Sequence, residues 1–179
     1  PGILLSSAIE KYANLFGVAC GEKNVLFTNN DSAYETAISL YQKGINIEAI
    51  IDNREKIDSK LIKEAEKNNI KIYKGFTVVN TFGYKRINKI SIMQLSKDGQ
   101  KVVGSKISIA CDCLGISGGW TPAVHLFTQS GGKLKFRDED QVFIPNIYPS
   151  DQISIGSCNG DFTLDAVSYT HLRAHETLH

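Results

Sequence analysis

The sequence has 179 residues, with 20 basic and 19 acidic side chains and a formal net charge of +1. This balance gives no electrostatic signature of a nucleic-acid partner. The apolar runs are only a few residues long, far below the roughly 20 residues that a membrane-spanning helix needs. The length suits one large domain or parts of two. We therefore expect a protein with a packed core that has neither nucleic acid nor a membrane as its partner.

Both ends of the sequence carry features that are not expected of a natural domain. The chain begins with Pro1 and has no signal pattern, which predicts an internal fragment. Residues 167–179 are similar to a translated sequencing adapter and are interpreted as an artefact tail. This tail holds the histidines that would otherwise imitate a metal cluster, namely His171, His175 and His179. Without them the sequence predicts no metal site.

The cysteines give no sign of a zinc or dithiol centre. None of the residues Cys20, Cys111, Cys113 and Cys158 forms a C-x-x-C pair. Cys111 and Cys113 are two apart in a predicted strand, so we expect both on the same side as small core residues. This usage favours a reducing cytoplasm.

The first half of the chain alternates helical and strand patterns. Apolar residues recur at helical spacing over residues 3–16, and Gly17 follows as a C-cap. Residues 24–28 form a continuous apolar run, typical of a parallel strand that is covered on both faces. The β-α-β pattern then continues with a helix over residues 32–43, a strand over 45–51, a helix over 58–68 and a strand over 70–73.

The second half changes to short strands and glycine turns. Alternating patterns predict a β-meander with strands over residues 76–79, 87–95 and 101–109. The elements predicted after it are a strand over 113–116, a helix over 123–129, a strand over 134–136, an irregular segment over 143–149, a strand over 152–155 and a helix from residue 162.

The turn after the strand over residues 24–28 lacks the glycines of a dinucleotide fingerprint. It reads TNNDSA, where G-x-G-x-x-G is expected, and Asp31 would repel a pyrophosphate. Asp52 follows the next strand, at the place of the carboxylate that holds the ribose. Asp52 is either such a ribose contact or a solvated residue at the end of a strand. The architecture is dinucleotide-like, whereas binding at this turn is not expected.

The most informative stretch is the glycine turn at Gly118 and Gly119. It follows an apolar strand, and Pro122 then suits the first turn of a helix. Glycine lets the backbone approach a ligand closely, and a helix N-terminus behind such a turn suits a phosphate. The alternative is a connection that needs glycine only for packing. Trp120 either stacks on a cofactor ring or fills the core, and His125 has a packing or capping role or, as the alternative, a role in proton transfer.

Two segments closely resemble the alpha subunits of heterotetrameric sarcosine oxidases. They are FTNNDSAY, residues 27–34, and SGGWTPAVHLF with QSGGKL, residues 117–127 and 129–134. The resemblance covers residues 1 to about 166. It implies an α/β, Rossmann-like FAD/NAD(P)-binding fold with a β-meander, in which a nucleotide-binding-like domain is inserted into an outer domain.

The resemblance also implies a division into domains. Residues 1–21 would be a helix and linker from the outer domain, and residues 22–117 the inserted domain. Residues 118–166 would be the C-terminal part of the outer FAD/NAD-binding domain.

The resemblance further implies a role in a flavin-dependent oxidase complex. That enzyme converts sarcosine to glycine, a one-carbon unit and hydrogen peroxide. The alpha subunit binds NAD, shares FMN with the beta subunit and carries a folate-binding domain for tetrahydrofolate, whereas the substrate-oxidising FAD belongs to the beta subunit. The partners would be the beta, gamma and delta subunits. The alternatives are a subunit of a related amine or opine dehydrogenase, and a structural domain that binds nothing.

The cofactor contacts expected from these patterns lie on two glycine turns, and no catalytic residue is expected. The usual Gly-Asp of such flavoproteins is here Gly156-Ser157, and a serine offers no carboxylate. Contact at this turn would therefore come mainly from the backbone or from Asn159. The complete predicted set is Gly118, Gly119, Trp120, Gly156, Ser157, Asn159, Gly160 and Asp161.

Overall fold

The computed structural model describes residues 1–138, 142–149 and 152–168. The chain forms two compact units, Pro1–Gly119 and Trp120–His179. Most of the predicted artefact tail, residues 169–179, lies outside the described residues. No helix in the described ranges is long and apolar enough to cross a membrane.

The first unit contains a five-stranded parallel sheet and a three-stranded antiparallel sheet. Its elements in chain order are β1 (Ile3–Leu5), α1 (Ser6–Phe16), β2 (Asn24–Thr28), α2 (Ser32–Gln42), β3 (Ile47–Asp52), α3 (Lys60–Lys67), β4 (Ile72–Lys74), β5 (Phe76–Gly83), β6 (Ile87–Leu95), β7 (Val102–Ala110) and β8 (Cys113–Ser117). The parallel sheet has the order β1-β8-β2-β3-β4, and the antiparallel sheet is the predicted meander β5-β6-β7.

Two apolar clusters cover opposite faces of the parallel sheet. Leu26 and Ile50 face helices α1, α2 and α3, where they join side chains such as Ile9. Val25 and Ile51 point to the other face and pack against the meander. This double cover explains why β2 and β3 are almost continuously apolar, because every position of such a strand lies in a core. The observed fold confirms the predicted Rossmann-like α/β class.

Residues 1–21 are grouped with this sheet in the structure. The sequence predicts one helix over residues 3–16, but residues 3–5 form the edge strand β1, which pairs in parallel with β8. Only Ser6–Phe16 is helical, and α1 packs against α2. The apolar residues 3–5 fit the pattern of a helix as well as that of a strand. The partner strand β8, which decides between the two, comes more than 100 residues later in the chain.

Cys111 and Cys113 lie in the core but not on one side, which corrects the prediction. Cys113 begins β8 and joins the cluster on the helical face, whereas Cys111 precedes the strand and joins the cluster on the meander face. Burial raises the pKa of Cys111 to about 11 and that of Cys113 to about 12. Both thiols are free and protonated at neutral pH, as expected of small core residues.

The second unit contains α4 (His125–Gln129), β9 (Lys133–Arg137), β10 (Val142–Ile147) and a 3₁₀ helix, Gly156–Asn159. Strand β10 corrects the prediction of an irregular segment, since it pairs antiparallel with β9 and tolerates Pro145 in a two-stranded sheet with a register shift beside it. The predicted strand over residues 152–155 is wrong, because these residues pair with no described strand and lead into the 3₁₀ helix. Residues 164–168 are helical.

Candidate functional site

The carboxyl ends of β2, β3 and β8 form the candidate site of the first unit. From β2 the chain proceeds to β3 and β4 on one side of the sheet, whereas β8 lies on the other side. The strand order therefore reverses between β2 and β8. Ligands of open α/β sheets bind in the crevice at such a reversal, outside the carboxyl ends of the strands. We call this position the β2/β8 crevice, and it is bordered by Asn29–Ser32, Ser117–Gly119 and Asn53–Arg54.

The side chain of Asn30 bridges the β2/β8 crevice. Its Nδ2 donates to the carbonyl oxygen and to Oγ of Ser117, both at 3.1 Å. Its Oδ1 accepts from the backbone N–H of Ser32 at 3.1 Å and from the Ser32 hydroxyl at 2.6 Å. The two hydroxyls, Ser32 Oγ and Ser117 Oγ, are themselves 3.2 Å apart. One carboxamide thus links the end of β2, the start of α2 and the end of β8.

Backbone and side-chain contacts hold the rest of the turn in place. Thr28 is buried, and its Oγ1 accepts from the N–H of Asn30 at 3.0 Å and donates to the Asn30 carbonyl at 2.9 Å. Asn29 Nδ2 donates to the Gly118 carbonyl at 3.3 Å. Gly119 has φ +92°, a conformation that favours glycine, and a Cβ there would lie 3.5 Å from Asn29 Oδ1. The turns after β2 and β8 therefore contact each other directly.

The structure shows that Asp52 is neither a ribose contact nor a solvated residue at the end of a strand. Its side chain is fully buried, so it is not solvated. Oδ2 accepts from the Tyr34 hydroxyl at 2.9 Å and from Arg54 Nη2 at 2.9 Å, and Oδ1 accepts from the Arg54 backbone N–H at 2.9 Å and from its Nε at 3.1 Å. Both oxygens are engaged inside the protein, which leaves Asp52 without a free side for a ribose.

Arg54 connects this buried carboxylate with the turn after β2. Its Nη2 also donates to Asp31 Oδ1 at 2.8 Å, so that one guanidinium pairs with two acidic residues. Burial lowers the pKa of Arg54, but the hydrogen bonds to Asp52 and Asp31 outweigh burial and the net pKa is raised. The pKa of Tyr34 is raised by burial and by the neighbouring Asp52 charge. In the cluster of Asp31, Tyr34, Asp52 and Arg54, one guanidinium is therefore shared by two carboxylates, and the neutral phenol of Tyr34 donates to Asp52.

Replacing Tyr34 with phenylalanine is expected to lower the free energy of unfolding by about 1.5 kcal/mol at neutral pH, because a buried carboxylate loses a donor. The folded-state pKa of Tyr34 lies above its ordinary value of 10.0. The contribution of the Tyr34 hydroxyl to the free energy of unfolding is therefore complete below pH 10.0. It is lost as the pH rises above this value, because Tyr34 then loses its proton in the unfolded chain but keeps it in the folded protein. Urea unfolding should show the difference between wild type and Tyr34→Phe shrinking above pH 10.0. A difference that is absent at neutral pH, or that grows above pH 10.0, would contradict this role for Tyr34.

The remaining predicted contacts lie on a compact turn of the second unit. Gly156 and Gly160 flank it with φ +60° and +82°. The N–H of Asp161 donates to the Gly156 carbonyl at 3.0 Å, and Arg137 Nη2 donates to the Gly160 carbonyl at 3.0 Å. A Cβ at Gly160 would lie 2.9 Å from Ile144 Cγ2, so this position requires glycine. A backbone hydrogen bond within the turn and the side chain of Arg137 therefore hold the turn in a defined shape.

The polar side chains of this turn differ in what they can offer. Asn159 accepts from the Tyr148 hydroxyl at 3.1 Å and donates to Asp161 Oδ2 at 3.1 Å, so its carboxamide is already engaged. Ser157 is exposed. An exposed hydroxyl can donate to or accept from a cofactor hydroxyl but adds no charge. Ser157 and the backbone of the turn are therefore available as contact groups.

Trp120 and His125 are both exposed. Trp120 is 60% exposed, and its ring centroid lies 6.5 Å from that of Phe162 in a tilted arrangement. It does not fill the core, and its ring can stack on a planar ligand. His125 is the first residue of α4 and is exposed, so of the expected packing or capping role the packing alternative is wrong.

The structure thus separates the predicted site residues into two groups. Gly118 and Gly119 lie in the first unit, beside Asn29 and Asn30. The others, Trp120, Gly156, Ser157, Asn159, Gly160 and Asp161, lie in the second unit. The bridging role of Asn30 is not predicted from the sequence, although polar residues directly after three parallel strands could have indicated that their side chains meet.

The sequence resembles three curated proteins. It is 31% identical over 160 residues, 89% of the chain, to sarcosine oxidase subunit alpha of Corynebacterium sp. (strain U-96). It is 32% identical over 171 residues to the protein of the same name from Corynebacterium sp. (strain P-1), and 31% identical over 150 residues to that of Rhizobium meliloti (strain 1021). The chain is related to sarcosine oxidase alpha subunits. It spans only 16% of the first of these relatives. No protein-family model matches the sequence.

Solved structures with a similar fold include a thioredoxin reductase, a flavoprotein disulfide reductase and an L-proline dehydrogenase. The thioredoxin reductase of T. acidophilum matches 99% of this chain with a TM-score of 0.61 at 18% identity, and 58% of that protein is covered. A mutant of the flavoprotein disulfide reductase RclA of Escherichia coli matches 99% with a TM-score of 0.68 at 12% identity, and 39% of it is covered. At these identities the likeness to the reductases is one of fold, and it agrees with the Rossmann-like topology described above.

Proposed function

We propose that this chain is part of the alpha subunit of a sarcosine oxidase and supplies dinucleotide-binding scaffold rather than the catalytic centre. The assembled enzyme would oxidise the N-methyl group of sarcosine at a flavin and release glycine, a one-carbon unit and hydrogen peroxide. The observation that carries the proposal is 31–32% identity to three alpha subunits, over 80–94% of this chain. The likeness in fold to flavoprotein reductases supports the same assignment.

The cofactors and partners of this proposal are those that the resemblance to sarcosine oxidase alpha subunits implies. NAD would be the dinucleotide of this subunit, and FMN, FAD and tetrahydrofolate would be bound elsewhere in the assembled enzyme. The partners would be the beta, gamma and delta subunits of a cytoplasmic heterotetramer. A substrate series can separate sarcosine from other secondary amines and from proline or opine substrates. Peroxide release with sarcosine as the preferred substrate supports the proposal, whereas oxidation of another amine without peroxide supports a related dehydrogenase.

The turn Gly156–Asp161 supports a dinucleotide contact in the second unit. Gly156 is buried with φ +60°, and among the described residues an added Cβ would approach only Val167, the first residue of the predicted artefact tail, at 3.5 Å. The conformation, rather than the lack of space, thus calls for glycine, as in turns whose backbone faces a ligand. Ser157 would hold a cofactor hydroxyl, and Trp120 would supply a stacking surface. NAD, when bound, would supply a hydride-accepting nicotinamide.

Replacing Gly156 with valine is expected to weaken NAD binding by about tenfold or more in the full-length subunit, because the backbone of the turn can no longer keep its shape. Calorimetric titration with NAD measures the change. Gly119→Val, in the turn that borders the β2/β8 crevice, should leave the affinity unchanged, because the Asn30 bridge occupies that turn. Gly131→Val is the matched control, because Gly131 has φ +94° with open space around its Cβ position. It should suffer similar backbone strain and keep its affinity for NAD. Equal affinity in wild type and in folded Gly156→Val protein would refute the contact proposed for the second unit.

A scaffold role without ligand is the second candidate for the first unit. The observation that favours it is the Asn30 bridge between β2 and β8. A ligand of the parallel sheet would have to displace these hydrogen bonds.

A further inference from the structure

We propose that Asn30 closes the β2/β8 crevice, so that the first unit retains the architecture of a dinucleotide-binding domain but excludes a dinucleotide. Asn30 would then determine which of the two units of this chain accepts a nucleotide. The inference rests on the strand order and on the contacts of Asn30 and Arg54. It does not depend on the reaction proposed for the parent enzyme.

Asn30 lies in the turn between β2 and α2, which corresponds to the turn that contacts the pyrophosphate in a dinucleotide-binding domain. The turn from the first strand into the first helix normally contains glycines, so that the backbone approaches the phosphates and the helix N-terminus faces them. Here the same turn contains Asn29, Asn30 and Asp31, and α2 begins at Ser32. Three side chains therefore extend from the turn where a binding domain has free space.

Asn30 also uses the groups that would bind a phosphate. A carboxamide has two N–H donors and one oxygen acceptor. The oxygen of Asn30 accepts from the Ser32 N–H and hydroxyl, which lie at the start of α2, and the donors reach Ser117. The Ser32 N–H is one of the donors that a helix N-terminus would otherwise offer to an anion. An entering phosphate would have to compete for this N–H and break the bonds across the crevice.

The charge at the border of the crevice also disfavours a dinucleotide. Asp31 directly follows Asn30 and is partly exposed, and Asp52 lies buried behind it. The single guanidinium of Arg54 is shared between these two carboxylates. Two negative charges against one positive charge leave a net charge of −1 in the cluster, which disfavours a pyrophosphate. Arg54 is occupied by its own partners and is not free to bind a phosphate.

Hydrogen exchange with NADH as the probe tests the closure in the full-length subunit. In wild type, NADH is expected to leave the exchange of residues 28–33 and 117–119 unchanged. In Asn30→Gly and in the double variant Asn30→Gly/Asp31→Gly, NADH should slow the exchange of these segments, which is the protection that wild type lacks. Asn69→Gly is the matched control, because Asn69 has φ +59° at the end of α3, where glycine is tolerated, and it lies outside the crevice.

Each outcome decides the proposal. NADH-dependent protection of residues 28–33 in wild type would overturn it, as would unchanged exchange in both opened variants when their melting shows that they are folded. If the opened variants do not fold, the wild-type exchange with saturating NADH still decides whether the crevice is closed. Failure of the proposed function has a different signature, because it would remove NADH protection at residues 156–161 or peroxide release with sarcosine. Neither of these readouts reports on the crevice.

Discussion

Replacing Arg54 with methionine is expected to lower the free energy of unfolding by about 3 kcal/mol. The change leaves Asp52 fully buried with Tyr34 as a neutral donor and without its cation. Removing one partner of a buried ion pair costs about 3–5 kcal/mol, and the lower end applies because 33% of the Arg54 side chain is exposed. Urea unfolding of the full-length subunit measures the loss.

The Lys63–Asp58 pair provides the matched control. Its atoms are 3.4 Å apart, and both side chains are largely exposed, at 69% and 92%. Lys63→Met should change the free energy of unfolding by at most about 0.5 kcal/mol. The double variant Arg54→Met/Asp52→Asn should recover part of the loss, because asparagine can still accept from Tyr34 and carries no charge. If Arg54→Met is as mild as Lys63→Met, the buried cluster does not stabilise the fold as we infer.

Replacing Gly115 with alanine is expected to cost about 2 kcal/mol of stability, and replacement with valine about 3 kcal/mol. Gly115 lies in β8 between β1 and β2. A Cβ there would lie 2.5 Å from Leu26 Cδ2 and 2.9 Å from Ile9 Cδ1. Both side chains are almost completely buried, so they have no free space into which to move. Thermal and urea unfolding measure the effect.

Gly118→Ala is the matched control for this change. Gly118 is exposed and directly follows the same strand, and apart from its chain neighbours no described residue has an atom within 4 Å of the position of an added Cβ. Its free energy of unfolding should stay within about 0.5 kcal/mol of wild type. Equal stability of Gly115→Ala and Gly118→Ala would show that Leu26 and Ile9 can move to make room for a methyl group, contrary to the tight packing described.

Local patterns predicted the elements whose period is unambiguous. Helix α2 and strands β2 and β6 have the expected type and nearly the expected bounds. Strand β10 and the edge strand β1 were not predicted, because each depends on a partner distant in sequence. In β10, proline is a local signal of a loop, but the segment pairs with β9. In β1, the short apolar run fits a helix, but it pairs with β8.

The candidate site was predicted only in part, and the reason is physical. The absence of glycines at residues 29–33 indicated that the turn after β2 does not bind a dinucleotide in the usual way. The pattern could not show that Asn30 contacts Ser117, since 87 residues separate them. It also could not decide the state of Asp52, because burial at the end of β3 depends on Tyr34 and Arg54 covering it.

The sequence by itself determined the class of this protein: alternating helices and apolar strands specify a covered parallel sheet, and the segments around Asn29 and Gly118 indicate its relatives. Only the tertiary structure showed which side chains contact one another at the carboxyl edge of that sheet. Periodicity reports which face of an element is buried, whereas the strand order places the ends of β2, β3 and β8 side by side. The Asn30 bridge and the shared Arg54 cation exist only because of that order.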